Sequence, residues 1–169
     1  MPRGIKPKEA IDKILGDFIK KNQFTLRKAD PPDLYSYIRT VENREQRLDI
    51  LFDWIHNLLV QEGEKLKKLG IPELYKKDSY SHWFSIYLEE VKRGSSFVRL
   101  IIQKKYPHLH REKPEDILTS EQEEEREAVL KNDPMLNTFF TTQQELEEKL
   151  TIARQGLEKY GLPYLEEGN

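Results

Sequence analysis

Apolar residues recur along this chain at steps of three and four, and no stretch shows sustained alternation with a hairpin dipeptide such as Asn-Gly. That spacing marks one face of a 3.6-residue period, so helix is the expected state nearly everywhere. The fold class that follows is all-α, a multi-helix bundle of about 6–7 helices with short loops. A first helix opens at Pro7, carries Ile11, Ile14, Leu15, Phe18 and Ile19 on one stripe, and stops near Asn22. Asp30-Pro31-Pro32 then reads as cap and first turn of a long helical run marked by Leu34, Ile38, Val41, Leu48, Phe52, Ile55, Leu59, Leu66 and Leu69. The run is either unbroken or divided in the polar interval 42–46, where Asn43 and Gln46 hold capping-box spacing, and Gly70-Ile71-Pro72 ends it.

Ser79 or Ser81 caps the next expected helix, which runs through Tyr80, Trp83, Phe84, Tyr87, Leu88 and Val91 to Gly94. Ser95-Ser96 starts another through Phe97 to Tyr106; its segment 97–102 also suits a short strand, but no partner strand is evident. Residues 107–119 read as a connector between an N-terminal helical subdomain (1–106) and an acidic C-terminal one (120–169) that packs on it. In the latter, Ser120 with Glu123 and Thr142 with Glu145 have capping-box spacing. The last helix carries Leu146, Leu150, Ala153, Leu157 and Tyr160 as a stripe that docks on its own bundle, and Gly161 with Pro163 stops it.

Charge is the most informative functional feature. The 169 residues have a net charge of -2, with 34% of them charged, yet the charge is unevenly spread. Residues 1–28 hold eight basic side chains against three acidic, residues 92–113 seven against one, and residues 121–169 five against twelve. Lys and Arg gain affinity for phosphate by releasing counterions, and a basic field speeds encounter with any anionic partner. Lys20, Lys21, Lys92, Arg93, Arg99, Lys104 and Lys105 are therefore the candidate nucleic-acid contacts, with Arg111 beside them and with Phe97 and Tyr106 interleaved as stacking residues. The rival is internal: the acidic C-terminal region neutralises these cations by lying against them.

Residues 66–90 offer helix, Gly70 turn, short helix and a second helix with Ser79, Tyr80, Ser81 and His82 at its start. Over those 25 residues the arrangement resembles the DNA-binding domains of viral DNA-packaging small subunits and phage regulators, without a diagnostic motif. The resemblance implies a helix-turn-helix DNA-binding protein of packaging or regulatory type.

Several chemistries lack their residues. There is no cysteine, hence no disulfide, thiolate metal site or cysteine nucleophile. The eight glycines are scattered without GxGxxG or GxxxxGK spacing, and no serine sits in a GxSxG elbow or SxxK pair. His56 and His82 read as packed or capping residues. His108 and His110, with Glu112 and Asp116 nearby, have i,i+2 spacing in a connector, which is not a tight metal-site pattern. The aromatic set Trp54, Trp83, Phe84, Tyr87 and Phe97 reads as core. Phe139 and Phe140 are adjacent, and on a helix such neighbours point about 100° apart, so an exposed one marks a protein contact.

The expected function is a non-enzymatic, cytoplasmic binding or assembly subunit, without catalytic residues, metal or cofactor. Its basic surfaces engage an anionic partner, foremost nucleic acid, together with other protein subunits, and homo-oligomerisation fits the same features. No window approaches the ~18 apolar residues of a membrane span. The alternative is a protein-only helical scaffold or adaptor assembling through its C-terminal helices.

Overall fold

A computed structural model of the chain describes residues 4–54, 82–113 and 115–167. The helix expected across 55–69, its stop at Gly70 to Pro72, the caps at Ser79 and Ser81, and His56 lie outside those residues. Within them the chain is not an all-α bundle. It is a mixed α/β fold built on a six-stranded antiparallel sheet. The elements are α1 (Pro7–Lys21), β1 (Thr25–Asp30), β2 (Leu34–Val41), β3 (Arg44–Asp53), β4 (His82–Glu90), β5 (Arg93–Ser96), α2 (Phe97–Lys105), α3 (Ser120–Asn132), β6 (Phe139–Phe140), α4 (Gln143–Gly156) and α5 (Leu162–Glu166). The strands run in the order β1-β2-β3-β4-β5, and β6 pairs with the start of β4.

The correction concentrates in residues 34–53 and 82–90. Leu48, Ile50, Phe52 and Trp54 are all buried, while the residues between them are only half buried, the two-residue period of a strand with one face in the core. Across the ladder Leu48, Ile50 and Phe52 stand opposite Leu88, Ile86 and Phe84, which alternate in the same way. Burying these directly opposed apolar pairs holds the register, since a one-residue slip would turn every one of them to the other face. The polar interval that resembled a helix break is a hairpin turn. Glu42 and Asn43 have φ of 52° and 65°, and they join Val41 to Arg44, which face each other as the last pair of β2 and β3. Two consecutive positive φ values give the turn whose twist matches that of the flanking strands. Asp30-Pro31-Pro32 likewise opens no helix: the Asp33 amide donates to the Asp30 carbonyl at 2.8 Å, closing the turn from β1 to β2, and the Pro31–Pro32 bond is cis. The second helix of the helix-turn-helix resemblance falls on β4, so a recognition helix is not formed there.

Helices α1, α2 and α4 cover the apolar face of the sheet and share one core with it. For α1 the expected stripe holds: Ile11, Leu15, Phe18 and Ile19 are buried, and the helix ends at an Asn22 cap. It packs on α4, where Arg154 Nη1 donates to the Ile14 carbonyl at 3.1 Å and Lys13 pairs with Glu147 at 2.8 Å. Leu146, Leu150, Ala153 and Leu157 are buried in the same core. Gly161 does not stop this helix. The chain passes through a π-helical turn, Leu157–Gly161, into α5, and a Cβ at Gly161 would lie 3.3 Å from Leu88 Cδ1, so the wide turn lets backbone press against β4. The opposite sheet face carries Asp49, Trp83, Ser85 and Tyr87. No helix among the described residues is long and apolar enough to cross a membrane.

Candidate functional site

The segment 93–113 places its cations through three local devices. Ser96 ends β5 in an extended conformation and caps α2, its Oγ accepting the Arg99 amide at 3.2 Å. The first turn of α2 holds no acidic residue, so Arg99 sits beside the positive end of the helix. Downstream, Pro107 opens a single 3₁₀ turn, Pro107–Leu109, and Leu109 is fully buried. That anchor folds residues 110–113 back past α2, where Arg99 Nη2 donates to the Glu112 carbonyl at 3.1 Å. Helix α3 closes the other wall. It is capped by Thr119 and Gln122, which exchange hydrogen bonds in a capping box one residue before the one expected at Ser120 and Glu123.

Between these elements lies a cleft of two lobes, about 380 and about 370 Å³, that share Arg99, His110 and Glu112. One lobe adds Arg111, Lys113 and Arg126; the other adds Arg93, Lys104 and Glu167. Arg93, Arg99, Lys104, Arg111, Lys113 and Arg126 thus converge against the carboxylates of Glu112 and Glu167. Arg93 is fixed by α5: its guanidinium donates to the Tyr164 carbonyl and stands 4.2 Å over the Tyr164 ring. Burial keeps the Tyr164 phenol above its ordinary pKa despite the neighbouring Arg93, so the ring stays neutral beneath the cation.

The acidic C-terminal region neutralises part of the basic set. Lys105 Nζ lies 2.7 Å from Asp133, and Lys104 lies 3.5 Å from Glu167. Among the described residues Arg99, Arg111, Lys113 and Arg126 are in no ion pair.

Of the residues singled out in the sequence, the fold brings Arg93, Arg99 and Lys104 together in the cleft. Lys105 faces the other way, onto Asp133. Lys92 is exposed in the β4–β5 turn, and Lys20 and Lys21 are exposed in the last turn of α1; none of the three lines the cleft. Phe97 is 1% exposed and packs in the core, and the Tyr106 hydroxyl donates to Asp133, so neither is a stacking surface in the cleft. Phe139 and Phe140 lie on a strand, not a helix, and point to opposite faces. Phe140 is core at 1% exposure, which removes it as a partner contact, whereas Phe139 is 48% exposed against Trp83. His82 is buried against Trp54 and Phe140. Sequence reasoning missed Lys113, and with it Arg126, hidden in the acidic run Glu123 to Glu127. The signal of Arg126 was being the one cation in that run.

The chain matches no protein-family model, no curated protein and no solved structure. The functional reading therefore rests on the geometry of the cleft.

Proposed function

We propose that the chain is a cytoplasmic, non-enzymatic binding module that holds the phosphate backbone of a nucleic acid in the cleft between α2, the 110–113 segment and α3. The observation that carries this reading is the convergence of Arg99, Arg111, Lys113 and Arg126 outside any ion pair among the described residues, at the positive end of α2. Guanidinium groups present fixed forks of donors that match phosphate oxygens, and helix N-termini add partial positive charge to the same spot. Tyr164, whose ring lines the cleft, is buried beneath Arg93, so contacts there position a backbone without reading sequence.

Fluorescence anisotropy of a labelled oligonucleotide, titrated across a salt series, tests the proposal. Wild type binds at low salt with a negative log–log salt slope. Arg99→Glu and Lys113→Glu each weaken binding and flatten the slope by about 0.7 per lost contact on a single strand. Lys20→Glu, outside the cleft, leaves the slope unchanged. Absence of wild-type binding at low salt, or an equal effect of Lys20→Glu, overturns the reading.

A further inference from the structure

A cleft that only grips phosphates treats duplex and single strand alike, yet an aromatic ring stands one strand away from it. Tyr87 is 41% exposed while its neighbours Ile86 and Leu88 are buried, so its ring faces away from the core. It pairs directly with Ser96, the residue that caps α2 and lines the cleft. Directly opposed residues on adjacent strands hold their Cβ atoms about 5 Å apart. The other exposed aromatic among the described residues, Phe139, pairs with Trp83, four residues further along β4 and so roughly 13 Å away along the strand.

We propose that Tyr87 is the stacking platform for a base of a single-stranded nucleic acid whose phosphates occupy the cleft. This inference rests on the reading of the cleft as a phosphate site and adds the class of strand it takes. Charge on the sheet face supports the division of labour. Asp49 pairs with Tyr87 across the ladder and accepts the Ser36 hydroxyl, and Glu89 is tied to Arg47. The Asp49 carboxylate, in no ion pair among the described residues, repels phosphate, so the backbone stays beside Arg99 and only an uncharged base crosses to the ring. A duplex keeps its bases inside its own stack and offers Tyr87 none; an unpaired strand offers a π-face whatever its sequence.

The test compares a labelled thymidine homopolymer, an abasic strand of the same length and a duplex of the same length, each titrated with wild type, Tyr87→Ala, Tyr87→Phe and Arg99→Glu. Thermal melts confirm that the variants fold alike. The homopolymer binds wild type more tightly than the abasic strand or the duplex. Tyr87→Ala lowers homopolymer affinity at least ~5-fold with the salt slope unchanged. Tyr87→Phe keeps the affinity, and abasic binding does not respond to either Tyr87 variant. If Tyr87→Ala binds the homopolymer as wild type does while Arg99→Glu abolishes binding, the stacking assignment fails and the cleft reading stands. An equal loss on the abasic strand, or tighter binding of the duplex, also overturns it. Failure of wild type to bind any probe overturns both.

Discussion

Gly156 shows how tightly single positions are set where α4 passes α2. A Cβ built there would clash with the Phe97 ring and lie 2.8 Å from Met135 Sδ. Gly is therefore required for close approach and not for its backbone, since alanine is the better helix former by about 1 kcal/mol. Phe97 is fully buried and its ring cannot turn aside, so the clash outweighs that gain. Gly156→Ala is expected to lower stability by about 1 kcal/mol or more, read as a reduced urea midpoint at unchanged m-value. A midpoint equal to wild type would show that Phe97 and Met135 relax freely. At this same scale the pair Phe139 and Phe140 was legible as a division between inside and outside. The reason was misread, because a strand and not a helix sends adjacent side chains apart.

Among the elements, α1, α2 and α4 were readable because their stripes run over eight or more residues and are bounded by Pro7, Ser96 and Thr142, which begin or cap them as expected. The strands were not, because a two-residue period and a helical period coincide at i,i+4. Leu34 with Ile38, and Leu48 with Phe52, fit both. The residue that decides is the one between: Ile50 is apolar two positions from Leu48, where a helix would present its far side. The three cleft arginines and lysines near α2 were visible as a cluster in sequence, whereas the pairing of Lys105 and the arrival of Arg126 depend on where α3 docks, which is long-range information. That docking is held by Asp133 at the end of α3, whose carboxylate accepts from Lys105 Nζ at 2.7 Å, the Tyr106 hydroxyl at 2.6 Å and the Met135 amide at 2.9 Å. Burial pushes the Asp133 carboxyl up, but these hydrogen bonds outweigh it and hold it below the ordinary aspartate value. A carboxyl depressed by folding binds fewer protons in the native state than in the unfolded chain. Its contribution is thus complete above the unfolded value of about 3.9 and is lost as pH falls through the lower folded value. Asp133→Asn should cost about 1–2 kcal/mol at neutral pH. The gap to wild type should close as pH falls below about 3.9 and the wild-type carboxyl is protonated. A gap that stays constant over that fall would mean that Asp133 stabilises by shape and not by charge.

For the whole molecule, the net charge of -2 conceals a separation that only the fold completes: acidic side chains of α3 lie on its exposed side while Arg126 lines the cleft. The same docking bears on cooperativity. One apolar core takes Ile11, Leu15 and Phe18 from the start of the chain, Leu48 and Phe84 from the sheet, and Leu146, Leu150 and Leu165 from beyond residue 120. Lys6 and Gln143 also exchange hydrogen bonds, main chain to side chain, at 2.7 and 3.1 Å across the junction of α1 and α4. Neither segment on its own can cover the apolar face of the sheet, because α4 and the turn after it supply the atoms that Phe97, Leu88 and α1 rest against. Unfolding should therefore be one transition, with Trp54 and Trp83 fluorescence and far-UV circular dichroism following the same denaturation curve. A fragment of residues 1–106 should lack a cooperative melt and bind a hydrophobic dye, since it exposes the face that α4 covers. Two separated transitions, or a sharply melting 1–106 fragment, would instead show that the segments before and after residue 106 are independent folding units whose contact at α1 and α4 is only an interface.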